Sequence, residues 1–188
     1  FARVEPEVFH LRPAAEEAEP FPRTHADHGF LGREFLTWLW FKSESNQGLF
    51  EVVDQGPIGV SFSKWLKMKS GGTDEQAVVE ADAPLDTEEA HTALRTGKKV
   101  SSARLALSLG DRDYHMNIDA DKYRVGNVRL PPTPSKGGGA GERLFLINEL
   151  EALLDGLYLT FVQLRRDPGA WSQTRREMRD WVLGGPDA

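Results

Sequence analysis

The 188-residue sequence contains no cysteine. Disulfides, Cys-ligated zinc and thiol chemistry are therefore excluded. The absence fits a reducing cytoplasm. Long apolar runs are missing too: charge interrupts each one well short of the roughly 20 residues that cross a bilayer, so no membrane partner is expected. Gly137-Gly138-Gly139 lacks the Lys-Ser/Thr pair of a phosphate-binding loop. Ser43, Ser61 and Ser172 lack the strand-turn-helix context of an activated nucleophile. An excess of positive charge is also absent. Lys and Arg number 23 against 29 Asp and Glu, a net charge of −6. That argues against an all-over basic nucleic-acid binder, although a local basic face on an acidic protein still attracts phosphates. The sequence begins at Phe1, and Arg3, Glu5 and Glu7 interrupt any signal-like apolar start. The expectation is a piece of a longer chain.

What is present is an ordinary globular composition, 39% hydrophobic and 28% charged, long enough to bury a core. Residues 1–29 combine Pro6, Pro13, Pro20 and Pro22 with three Arg against six carboxylates. Proline is excluded from helix interiors, so an extended acidic arm or linker is expected there. The segment from Phe30 to Glu44 is different. Phe35, Leu36, Trp38, Leu39, Trp40 and Phe41 follow almost without a break. Two Trp at spacing two cannot share one narrow stripe, so a helix here must be covered by protein on more than one side.

A β-rich stretch comes next, with strands expected at 49–53, 58–68 and 76–81. In the second, Ile58, Val60, Phe62, Leu66 and Met68 share one parity, while Lys64 and Trp65 interrupt it, as a bulge would. Asp86 followed by Glu89 predicts a capped helix start, and Gly97 a stop. Alternation resumes at Ala103, Leu105, Leu107 and at Tyr114, Met116, Ile118, then at 123–130. This is a meander with one dry face and one wet face. Residues 131–141 are rich in Pro and Gly and read as a linker. Leu146, Ile147, Leu150, Leu153, Leu154, Leu157, Phe161 and Leu164 mark one broad stripe of a helix over 142–166, and Asp167-Pro168 starts another that ends near residue 183. The fold class expected is α+β: an antiparallel sheet with the Trp-rich helix and a C-terminal helical hairpin packed on it. The domain over 30–130 and the helical pair over 142–183 are expected to share one core. Phe35, Trp38, Trp40, Leu150, Leu154 and Leu157 would hold that core or a dimer.

Candidate chemistry is sparse. His25, Asp27 and His28 have metal-ligand spacing but no evident fourth ligand, so a turn before the helix is the simpler reading. Asp111, Asp113, Asp119 and Asp121 could in principle hold Mg²⁺ for a nuclease, yet all sit at turns, where Asp is common for backbone reasons. No metal, cofactor, catalytic residue or small-molecule substrate is expected. The basic residues are the most useful polar feature. Lys64, Lys67 and Lys69 surround Trp65, and Lys98, Lys99 and Arg104 open the next sheet segment. Meeting on one face, they would track phosphates without reading sequence. Arg165, Arg166, Arg175, Arg176 and Arg179 read as the polar face of the terminal helices.

The string Phe30-Leu31-Gly32-Arg33-Glu34-Phe35-Leu36-Thr37-Trp38-Leu39-Trp40-Phe41-Lys42-Ser43-Glu44 resembles the helix opening the C-terminal half of the longer, recombination-associated RdgC proteins of bacteria. Leu85–Glu89, Gly97–Val100, Ala103–Leu107, the strand at 123–130 and Glu149–Leu154 resemble that family's later elements in the same order. The resemblance covers residues 30–183. It implies a non-enzymatic homodimer closing round double-stranded DNA, without sequence preference and without cofactors. It also implies a role in restraining RecA-driven recombination, hence a cytoplasmic, nucleoid-associated protein. The matching basic positions are Lys98, Lys99 and Arg104, whereas Glu80 and Asp82 stand where proteobacterial members carry basic residues. The alternative is a protein–protein oligomerisation module without DNA affinity.

Overall fold

The computed structural model describes residues 30–52, 55–70, 75–82, 86–133 and 139–184. The expected arm at 1–29 and residues 134–138 of the expected linker lie outside them. The architecture is α+β. Among the described residues, six strands form one antiparallel sheet and four α-helices pack on one of its faces.

A short π-helical turn, Phe30–Glu34, leads into α1, Phe35–Ser45. Eight of its eleven residues are buried. That is the all-round burial its sequence demands: the sheet lies on one side, and helices cover the others. β1 (Leu49–Val52) turns into the long β2 (Gly56–Lys69). β3 is Gln76–Glu80. The second helix, α2 (Glu88–Arg95), is capped by Thr87, whose Oγ1 accepts from the Ala90 amide, and not by Asp86 as the sequence suggested. β4 (Lys99–Leu109), β5 (Arg112–Asp119) and β6 (Arg124–Arg129) complete the meander.

β4 pairs with β2 from Gly59 to Lys69, so it occupies one whole edge of that strand. β1 and β3 pair with the two ends of β2 and must therefore share its other edge. β5 and β6 follow beyond β4. The interrupted parity of β2 is a bulge. Phe62 opposes Leu105 and Leu66 opposes Ala103, so three residues of β2 face one of β4. Lys64 takes a left-handed φ of 65° there, a conformation costing a non-glycine residue roughly 1 kcal/mol. The bulge returns Leu66 and Met68 to the core face.

Two helices close the fold. α3 (Ala140–Arg166) lies against the sheet, and α4 (Pro168–Val182) turns back beside it. Asp167 caps α4 through the amides of Gly169 and Ala170, with proline at the first helical position, where no amide donor is needed. Phe161 of α3 meets Phe35 and Trp38 with ring centroids 5.6 and 5.2 Å apart. At the other end of α1, Trp40 meets Trp181 of α4 edge-on at 5.3 Å. The indole N–H groups of both donate to one carboxylate, Glu44, at 2.5 and 2.6 Å. α3 is tied to the β4–β5 hairpin by Glu149, which accepts from Arg112 at 2.8 Å and from the Tyr114 hydroxyl. Burial, with Glu149 beside it, pushes the Tyr114 pKa far above the ordinary phenol value.

Of the residues expected in the core or a dimer, Phe35, Trp38, Trp40, Leu150 and Leu157 are buried within the chain, and Leu154 is half-buried against the same core. The apolar stripe of α3 is narrower than its sequence suggests. Ile147 points outward, as do Leu144, Phe145 and Leu159.

Candidate nucleic-acid interface

Among the described residues all four helices lie on one side, so none of them covers the other face of the sheet. Its residues follow from the register. Opposite core-facing Leu66, Ala103 and Met116 alternate Lys67 on β2, Ser102 and Arg104 on β4, and His115 and Asn117 on β5. β6 adds Arg124, Gly126 and Arg129, which pair with Asp119, Asn117 and His115. A shallow groove of about 320 Å³ crosses the strands at this level. Trp65 and Lys67 form one end, Asn117 its floor, and Arg124 and Asn127 the other end. The groove is open at Gly126, where a Cβ would meet nothing within 4 Å. Asn117 Oδ1 is buried and lacks a hydrogen-bond partner among the described residues. A buried polar atom in that state calls for water or a ligand.

The six predicted contact residues fall into two groups by their surroundings. Lys69 Nζ lies 2.8 Å from Asp121 Oδ2, and Arg33 Nε binds the other oxygen of that carboxylate at 2.5 Å. Burial works against the Asp121 charge, but the hydrogen bonds from Arg33 and Lys69 outweigh it and hold its pKa below the usual value. Lys99 is bound to Glu34 at 2.8 Å. Lys98 lies 3.8 Å from Glu75 and donates to Thr96 Oγ1 at 3.3 Å. These three serve mainly to fasten the end of the sheet to its surroundings. Lys64, Lys67 and Arg104 are different: none has an ion-pair partner among the described residues. Lys64 is exposed on the bulge, and Arg104 sits directly opposite that bulge.

Arg124, Arg129 and His115 share this open face and were missed in the sequence. The signal was available: counting alternate positions along the meander from Arg104 leads to Asn117 and then to Gly126, beside Arg124. Carboxylates share this face: Asp119 lines the groove itself, between Ser102 and Arg124, and Glu80 stands opposite Trp65. Glu51 and Glu80 lie on the short edge strands, Asp113 accepts from Ser108 Oγ at 2.6 Å, and Asp119 accepts from the amides of Asp121 and Lys122. Among the described residues no group of His, Asp and Glu has the arrangement of a metal site, and no described helix is long and apolar enough to cross a membrane.

Comparison with protein-family models and with the curated proteins gave no match to this chain.

Proposed function

We propose that the open face of the sheet binds the phosphate backbone of double-stranded DNA, without reading its sequence and without catalysis. The carrying observation is the set Lys64, Lys67, Arg104 and Arg124, without an ion-pair partner among the described residues, on the sheet face that no described helix covers, where Lys67 beside Trp65 and Arg124 stand at the two ends of one groove. A charged groove flanked by an aromatic side chain suits a backbone-tracking surface. Together with the resemblance to RdgC-like proteins, this supports a nucleoid-associated homodimer that restrains RecA-type recombination. On this reading Lys69, Lys98 and Lys99 position the surface instead of touching DNA.

The test is anisotropy of a fluorescent 30-base-pair duplex across a salt series. Four phosphate contacts predict a log–log slope near −4, from about −0.9 per contact. Lys67→Glu with Arg104→Glu should abolish binding and leave the circular dichroism spectrum unchanged. A duplex of scrambled sequence should bind equally well. Absence of binding at 50 mM salt, or full binding by the folded double variant, rejects the reading.

A second reading rests on Leu144, Phe145 and Leu159 of α3, each 57% exposed, and on Val125 and Val128 of β6, each 42% exposed. Exposed apolar groups mark association surfaces where they adjoin, as Val125 and Val128 do with Ile147 in one hollow. Oligomerisation without DNA affinity would show as a concentration-dependent mass that Phe145→Asp lowers, with no anisotropy change on adding duplex.

A further inference from the structure

A second concentration of positive charge lies on the helical layer. Two hollows meet along α4. One, of about 450 Å³, has an apolar floor of Trp171, Met178 and Val182 and a rim of Arg95, Lys99, Arg175, Arg179 and the exposed Leu183. The other, of about 770 Å³, adds Arg165 and Arg176. Both are bounded by Trp171, Arg175 and Arg179, so they form one cleft. Six cations line it, and among its described lining residues Glu34 is the one carboxylate. This occurs on a chain of net charge −6. Gathering like charges costs self-repulsion, which an anionic partner would relieve.

The chemistry of that partner can be narrowed. Trp171 could stack a nucleic-acid base only through an open ring face, and the Arg165 guanidinium lies over its ring at 4.4 Å. Phe161 packs against it in a T-shaped contact, with ring centroids 5.8 Å apart. The apolar floor would also gain nothing from a sugar–phosphate chain. It fits an apolar side chain. The rim fits carboxylates, since guanidinium forks match them bidentately. Arg175 and Arg179 stand one helical turn apart, a rise of about 6 Å. Alternate side chains of an extended peptide repeat at about 6.6 Å. The rim is partly fixed: Arg95 Nε donates to the Val182 carbonyl at 3.1 Å.

We propose that the cleft between α4 and the ends of α2 and β4 docks an acidic protein segment with one large apolar side chain between its carboxylates. The site is independent of the open sheet face.

The test uses the full chain and two fluorescein-labelled heptapeptides, Glu-Asp-Glu-Phe-Glu-Asp-Glu and the same with Gly for Phe. The Phe peptide should bind at least fivefold more tightly than the Gly peptide at 50 mM salt. Arg175→Glu with Arg179→Glu should weaken it at least tenfold, and Arg175→Gln with Arg179→Gln by less, with thermal midpoints checked for each. Lys67→Glu with Arg104→Glu should leave it unchanged. Three results would overturn the proposal: no binding of the Phe peptide, equal binding of the two peptides, or displacement by inorganic polyphosphate or duplex at equal charge concentration.

Discussion

Gly156 sits in the middle of α3, where the helix crosses β1. A Cβ placed on it would lie 2.2 Å from Val52 Cγ1 and 3.6 Å from Val52 Cβ. Carbon atoms in contact stand about 3.5–4.0 Å apart, so Gly156→Ala forces a displacement of more than 1 Å. Val52 is 3% exposed and β-branched, which leaves it little room to turn away. The strain should cost about 1–3 kcal/mol. Against it stands the helix preference of Ala over Gly, about 1 kcal/mol. Gly156→Ala should therefore destabilise by about 0–2 kcal/mol. Val52→Ala removes two buried methyl groups and should cost about 2 kcal/mol. In that background the offending Cγ1 is gone, and the nearest remaining contact is the ordinary one at 3.6 Å. Gly156→Ala should then stabilise by about 1 kcal/mol. The double-mutant cycle predicts a coupling of about 1–3 kcal/mol. Urea unfolding followed by Trp fluorescence reads each term. Additive effects within 0.5 kcal/mol would refute the packing argument, because distant sites behave that way.

Two further predictions concern the polar fastenings. Thr37, 6% exposed, accepts from the Val100 amide at 3.1 Å and donates to the Arg33 carbonyl at 2.7 Å. Thr37→Val keeps the shape but leaves a buried N–H unpaired, so a loss of about 1–3 kcal/mol is expected in urea; a loss under 0.5 kcal/mol would show that the amide finds another partner. The Asp121 carboxylate has a depressed pKa in the fold, so its contribution is present above the unfolded value and is lost as pH falls below about 4. The urea midpoint of the native protein should fall faster between pH 5 and pH 3 than that of Asp121→Asn, and identical slopes would remove Asp121 from the account.

The sheet and its single covered face were legible because period two survived in β4 and β5, and because the bulge announced itself as Lys64-Trp65 within an alternating strand. The Trp-rich helix was legible because no one-sided environment could hold it. The helix start at Thr87 was not, since Asp86 and Thr87 are both good caps and the choice depends on where the preceding chain enters. The exposed Leu144, Phe145 and Ile147 were also hidden, because spacing alone does not say where a helix runs past the edge of its sheet. The interface was half legible. Lys69 and Lys99 look like surface cations in one dimension; their partners Asp121 and Glu34 lie 52 and 65 residues away. Arg124 and Arg129 gain their place only through the register of β5 with β6.

The burial of α1 from both sides has a consequence for synthesis. Trp38 leaves the ribosome about 120 residues before Phe161, an interval of about 6–25 s at ordinary elongation rates of about 5–20 residues per second. Throughout it the sheet can cover only one flank of the most apolar segment in the chain. The growing protein thus carries its stickiest surface before its lid exists, and a factor that shields nascent chains would act on α1 in that interval.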